Sequence, residues 1–308
     1  MFISQVNPLY SVYFAPRGFV RMTSLGAQIA QQHLTAFDRL IGIIGEAGSG
    51  KSLIIRGMFP GLELTNDDDG VNVRPLPLLD VDEDGFYQPH TYHLDIRFES
   101  AFTQMHVLAD VIKTAVDKGR RVVVEHFDLI YPAIGINAEL LVGIGEEVIV
   151  TRPTIFGPEP DDLSEIVVKS NKYRRMAHSA EDLTEFYLHK RLPASVEYAH
   201  GDVRHGFLLK FNEKPDINLE ELEVFVRDLI QQDLPISYMD DMHIKIGEYV
   251  HKCTGPRMHA TRTGKIENFH VLKELHHDVL SNQYIMVGLV GNDAVENIRD
   301  INSIKMST

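Results

Sequence analysis

The sequence predicts an α/β protein, a parallel sheet with helices on both faces followed by a small α+β C-terminal domain. Three observations lead there. Short apolar or β-branched runs at 40–44, 121–125 and 146–151 alternate with segments of helical periodicity, the pattern of an open sheet with crossover helices. The glycine-rich run Gly45-Glu46-Ala47-Gly48-Ser49-Gly50-Lys51-Ser52 joins the first of these strands to a helical segment. From Pro158 onward the character changes, first to helices and then, past Pro235, to short strand-like pieces separated by glycine turns.

Taken in order, residues 1–20 read as irregular or strand-like, and 23–34 as a helix leading into the strand at 40–44. Residues 52–59 continue the glycine loop as a helix. An acidic stretch at 63–70 contains Asp67, Asp68 and Asp69, and a second lies at 80–85. Residues 92–98 alternate enough for a strand. Over 105–116 a helix places Leu108, Val111, Ile112 and Ala115 on one face, and Gly119 ends it. Val122-Val123-Val124 reads as a central parallel strand. Two helices, 161–169 and 180–190, flank the basic patch Lys172-Tyr173-Arg174-Arg175. Asn218 opens an amphipathic helix that buries Leu219, Leu222, Phe225, Val226, Leu229 and Ile230. Asp233-Leu234-Pro235 ends it, giving an expected division into 1–234, with a helical insert over 158–206, and 235–308.

Composition narrows the function. The 308 residues carry a formal charge of −14, so a broad electrostatic grip on nucleic acid is not expected and any such contact would be local. One cysteine excludes an internal disulfide framework. No run is long enough to cross a bilayer and no basic-then-apolar leader is seen, so the expected setting is cytoplasmic, with no membrane partner.

The glycine run is a complete G-x-x-x-x-G-K-[ST] phosphate loop, and the fold it implies is that of a P-loop NTPase. Its glycines let backbone N–H groups wrap a polyphosphate, Lys51 reaches the β- and γ-phosphates, and Ser52 ligates Mg²⁺. Such sites also need an acid at the end of a neighbouring strand. Glu125 stands there, with Asp128 three residues on; the alternative is a surface acid capping the strand. Asp95 is a candidate for contacting the metal or the attacking water. Asp67, with Asp68 and Asp69, is either a catalytic base for an acceptor hydroxyl or a solvated acidic turn. Arg174 and Arg175 form either a lid over the γ-phosphate or helix decoration. His200-Gly201-Asp202-Val203-Arg204-His205 reads as a polar turn or a source of metal ligands. The absence of an Asn/Thr-Lys-x-Asp guanine signature favours ATP over GTP.

Two resemblances add to this. Over 39–128 the chain resembles the bacterial ATPase of the tRNA threonylcarbamoyladenosine pathway, through the phosphate loop, His93-Leu94-Asp95-Ile96-Arg97 and Glu125-His126. The family's tyrosine in the first of these strings is absent, and its tryptophan is replaced by His126. The likeness supports Asp95 and Glu125 as functional. Residues 243–275 resemble the second additional domain of alanyl- and threonyl-tRNA synthetases. The family's Cys-Gly-Gly-Thr-His and Thr-Gly-Glu-Ile correspond to Cys253 and His259 and to Thr263-Gly264-Lys265-Ile266. Five residues separate Cys253 from His259 where the family has three, and no His-x-x-x-His pair precedes them to complete a zinc site. His200, His205, His243 and His251 are the candidate completers; a metal-free turn that holds a small molecule or RNA end is the alternative.

Together these imply a Mg²⁺-dependent ATPase coupled to a module, with or without Zn²⁺, that recognises tRNA or an aminoacyl-like ligand. A small-molecule kinase using Asp67, Asp68 or Asp69, and a nucleotide-driven regulatory switch, remain as alternatives.

Overall fold

The computed structural model describes residues 10–64, 91–240, 242–253, 255 and 258–291; the Asp67, Asp68 and Asp69 triplet and the second acidic stretch lie outside them. The chain divides into two compact units, Met1–Tyr13 with Val20–Lys169, and Phe14–Phe19 with Ser170–Thr308. The expected division at 234/235 therefore falls inside the second unit. The cause is long-range strand pairing: β8 (Gly206–Phe211) pairs antiparallel with β14 (Gln283–Leu289), tying residues on either side of Pro235 into one sheet.

In the first unit six strands form a mixed α/β sheet of order β1-β6-β5-β2-β4-β3. These are β1 (Ser11–Phe14), β2 (Leu40–Gly45), β3 (Thr91–Asp95), β4 (Arg121–Glu125), β5 (Leu140–Ile144) and β6 (Glu147–Thr151). Strands β3, β4, β2 and β5 run parallel. Strand β6 is antiparallel to β5, which corrects the expectation of a parallel sheet. Only Gly145 and Glu146 link the two, and a parallel return needs a crossover of roughly a dozen residues. Strand β5 also escaped the sequence reading. Its Gly143 interrupts the apolar run, and a Cβ there would lie 2.7 Å from the Leu163 side chain.

Alternate residues of the central strands face opposite ways, and both sets are buried: Leu40 and Ile44 on one side, Ile41 and Ile43 on the other. The first side packs against α4 (Met105–Asp117) and α5 (Phe127–Ile134) through Leu108, Ile112, Phe127 and Ile130. Helices α1 (Phe19–His33) and α2 (Lys51–Met58) touch backbone to backbone. A Cβ at Gly26 would lie 2.3 Å from the Ile54 carbonyl oxygen, and one at Gly57 2.1 Å from that of Thr23. The strand expected over 92–98 stops at Asp95, whose side chain caps the short helix α3 (Ile96–Glu99) by accepting from the Phe98 N–H.

The two helices expected around the basic patch are one, α6 (Pro160–Arg191), whose first turns belong to the first unit and the rest to the second. Arg174 is neither lid nor decoration: it is buried and donates to the Pro16 carbonyl at 3.1 Å.

The second unit contains the antiparallel sheet β12 (His270–Val271)-β14-β8-β7 (Tyr198–Val203), with β13 (His276–Asp278) also paired to β14. A three-stranded sheet places β10 (His243–Ile246) between β9 (Ile236–Tyr238) and β11 (Tyr249–Lys252). Helix α7 (Leu219–Gln231) begins where expected, because the Asn218 side chain accepts from the Glu220 and Glu221 N–H groups. Leu222 and Val226 of α7 meet Phe207, Phe211, Ile244, Phe269 and Met286 in the core. Among the described residues no helix is long and apolar enough to cross a membrane.

Candidate functional site

Among the described residues, the first unit gathers Asp95, Glu125 and His126, and the second gathers His178, Asp182, Cys253 and His259. In the first, β2 ends in the phosphate loop. Gly48 and Gly50 take φ of 76° and 94°, backbone that only glycine adopts without strain, and Gly50 is the residue from which α2 starts. Gly45 has a steric role, since a Cβ there would fall 2.8 Å from the Ser49 hydroxyl. The Lys51 ammonium donates to the Glu46 carbonyl at 3.0 Å, so the chain curls around it.

Parallel register then sets Asp95 and Glu125 side by side at the carboxyl ends of β3 and β4, with Glu125 also opposite Ile43 of β2. The Glu125 carboxylate is the hub. Its oxygens lie 3.7 Å from the Lys51 ammonium and 3.4 Å from the Ser52 hydroxyl, which donates. The same carboxylate lies 3.2 Å from Nε2 of His93. Burial would raise its pKa, but the hydrogen bond and charge of His93, with Lys51 and His126, outweigh that and hold it below the ordinary carboxylate value. His126 is lowered by burial first and then by Lys51. Its φ of 57° makes it a non-glycine residue in left-handed backbone, with its side chain beside Glu125. Asp95, Glu125 and His126 bring ligand atoms within 4.8 Å of one another, and carboxylates with the Ser52 hydroxyl are the hard donors that Mg²⁺ takes. Asp128 lies outside this group; it accepts from the Ser164 hydroxyl at 3.0 Å.

In the second unit, His178 and Asp182 stand one helical turn apart on α6, and Cys253 and His259 come from the loop after β11. Their ligand atoms also lie within 4.8 Å of one another. The Cys253 sulfur is 3.4 Å from Nε2 of His178 and 3.5 Å from Nε2 of His259. With Zn–N and Zn–S lengths of about 2.05 and 2.3 Å, a tetrahedral N···S edge is about 3.6 Å, so both edges from the Cys253 sulfur are near that length. Asp182 Oδ2 lies 2.8 Å from the His259 nitrogen. Gly255 admits this closeness, because a Cβ there would meet the Arg17 carbonyl oxygen at 2.0 Å and the His178 ring at 2.9 Å. Burial and the neighbouring His259 push His178 down to about 3, leaving a neutral imidazole, the form that ligates. Burial, with the nearby carboxylates Asp182, Glu185 and Glu181, raises the Cys253 thiol. A metal would reverse that by taking the place of the proton.

Next to it, His251 pairs with Asp182 and Glu185 at 3.5 and 3.2 Å. Burial would lower His251, but these carboxylates outweigh it and raise it to about 9. Glu181, one residue before Asp182, binds Arg17 at 2.6 Å and His200 at 2.9 Å.

Of the residues the sequence singled out, Lys51, Ser52, Glu125 and Asp95 converge, as do Cys253 and His259. The residues beside that pair are not the candidates named for it. His178 and Asp182 stand beside the Cys253–His259 pair, whereas His251 belongs to the adjacent carboxylates and His200 bonds Glu181 and Glu185. His243 bonds Asp240, and His205 packs against the Tyr173 ring. The signal for these two residues was a His-x-x-x-Asp spacing that begins between the basic patch and the helix expected over 180–190 and ends inside that helix. No protein-family model matches the chain, and no curated protein matches it.

Proposed function

We propose that the first unit binds Mg²⁺-ATP and cleaves or transfers its γ-phosphate, and that the second unit binds Zn²⁺ in a module that recognises a tRNA end or an aminoacyl-like ligand. One observation carries the nucleotide reading: Lys51, Ser52 and Glu125, from a loop and a strand end 73 residues apart, meet around one carboxylate at 3.4 to 3.7 Å. In this reading the loop N–H groups bind the phosphates and Lys51 stabilises charge on the transferring group. Ser52 and Glu125 hold Mg²⁺, which when bound neutralises charge on the β- and γ-phosphates. Asp95 and His93 orient the groups around Glu125. The zinc reading is supported by the donor set His178, Asp182, Cys253 and His259 and by the two N···S edges from Cys253. The ligand class of that module rests on the synthetase resemblance.

The test is phosphate fate. The purified protein is incubated with γ-labelled ATP and Mg²⁺, with and without total tRNA and a metabolite pool, beside Lys51→Ala. Free phosphate that rises with tRNA and vanishes in the variant is expected. Label on a metabolite would move the kinase reading to first place, and binding without turnover in every condition would leave the regulatory switch.

A further inference from the structure

The carboxylate of Asp182 faces two ways. Its Oδ2 lies 2.8 Å from His259 Nε2, inside the four-ligand set, and its Oδ1 lies 3.5 Å from His251 Nε2. Beyond it, Glu185 Oε2 lies 3.2 Å from the same His251 nitrogen. The arrangement is built from two matched rows. His178, Asp182 and Glu185 recur along one face of α6, and His251 and Cys253, two apart at the end of β11, point the same way from the other side. Asp182, Glu185 and His251 are all at least nine-tenths buried, and their ligand atoms lie within 4.8 Å of one another.

We propose that Asp182, Glu185 and His251 hold a second divalent cation, with Asp182 bridging it to the one held by His178, Cys253 and His259. The inference rests on the reading of that four-ligand set as a zinc site. Asp182 and Glu185 are buried carboxylates one turn apart; the Arg17 beside them is engaged with Glu181, and His200 lies 3.3 Å from the second oxygen of Glu185. Two carboxylates and a thiolate carry three negative charges against the two positive charges of one divalent ion, and the remaining negative charge attracts a second cation, for which a proton on His251 competes. The donors, two oxygens and one imidazole nitrogen, suit zinc, manganese or iron, and three protein ligands leave a coordination position for water. Pairs of ions about 3.5–4 Å apart are the arrangement that two-metal hydrolases use, so this centre would activate water.

Elemental analysis of the full chain tests this, after production with zinc and removal of free ion by desalting. About two zinc ions per chain are expected, about one in Glu185→Gln and in His251→Gln, and fewer than one in Asp182→Asn. Circular dichroism on each variant separates lost metal from lost fold, and X-ray absorption on the wild type should show a metal–metal vector of about 3.5–4 Å. One zinc in the wild type, unchanged in Glu185→Gln, would overturn the second site and leave the first standing. Two ions retained in both Glu185→Gln and His251→Gln would also overturn it, since the second ion would then lie elsewhere. No zinc in the wild type and no uptake on titration would overturn the four-ligand reading, and this one with it.

Discussion

The phosphate-loop group of the first unit and the histidine–carboxylate group of the second are built by opposite routes. In the first, the loop, Lys51 and Ser52 come from one contiguous run, and a single strand end, Glu125, completes the set. In the second, a helix supplies His178 and Asp182 while Cys253 and His259 come from a loop 75 and 77 residues away along the chain. The first therefore depends on local backbone conformation, with φ of 76° and 94° at Gly48 and Gly50. The second depends on tertiary packing, with Gly255 pressed against the Arg17 carbonyl and the His178 ring. Local chemistry survives as a motif; chemistry assembled by packing does not.

Lys51→Ala should break this comparison most sharply. On the proposed nucleotide reading, loss of this one charged donor is expected to lower turnover by about 10²–10³-fold. Zinc content measured on the same sample should be unchanged, because Lys51 belongs to the first unit and His178, Asp182, Cys253 and His259 to the second. Loss of zinc together with turnover would mean that the two groups are not built independently.

His259→Ala is the reciprocal change. It removes a ligand atom spaced 3.5 Å from the Cys253 sulfur and leaves Asp182 without its shortest contact. Zinc affinity should fall by more than about 100-fold, the upper range for losing an outer-shell partner, with ATP binding retained. A competition titration against a chromogenic chelator reads this directly, and unchanged affinity would remove His259 from the ligand set.

The same contrast explains what was legible in the sequence. Strand β4 was visible because Val122-Val123-Val124 is β-branched and buried, and α7 because Asn218 caps an amphipathic run. Strand β5 was hidden by Gly143, which is there for the Leu163 side chain and says nothing about strand propensity. The boundary at Pro235 marked a real helix end but no division of the fold, because pairing between β8 and β14 is invisible to local composition. Asp95 was found, yet its role as the cap of α3 depends on where β3 ends. His178 and Asp182 could not be paired with Cys253 without knowing which helix face meets the loop.

Gly57→Ala probes the scaffold beneath the loop, since α2 carries Lys51 and Ser52. The added methyl would meet the Thr23 carbonyl at 2.1 Å, and a backbone atom cannot rotate aside. A destabilisation of about 1–3 kcal/mol is expected in denaturant unfolding, confined to the transition of the first unit if the two units unfold separately. Equal midpoints for variant and wild type would mean that α1 and α2 slide apart freely.

The smallest effect concerns acid. Asp38 accepts two hydrogen bonds from Arg152, at 2.7 and 2.8 Å, and one from the Thr35 N–H at 2.6 Å. Burial would raise its pKa, but these bonds and the Arg152 charge outweigh that and hold it below the ordinary carboxylate value. A depressed folded-state pKa stabilises the fold fully above the unfolded value, near ~3.9 for an aspartate, and the contribution disappears as pH falls through the folded value. Asp38→Asn should therefore cost about 1 kcal/mol or less at pH 7, allowing for solvent screening of Arg152. It should also flatten the fall in the first unit's stability below about pH 4. The second unit has its own acid-sensitive pair, Arg17 with Glu181, whose carboxyl is also held low. Asp38→Asn leaves that pair untouched, so the acid response of the second unit should not change. If the variant lost stability with acid as steeply as the wild type, the Asp38–Arg152 pair would carry none of the first unit's pH dependence.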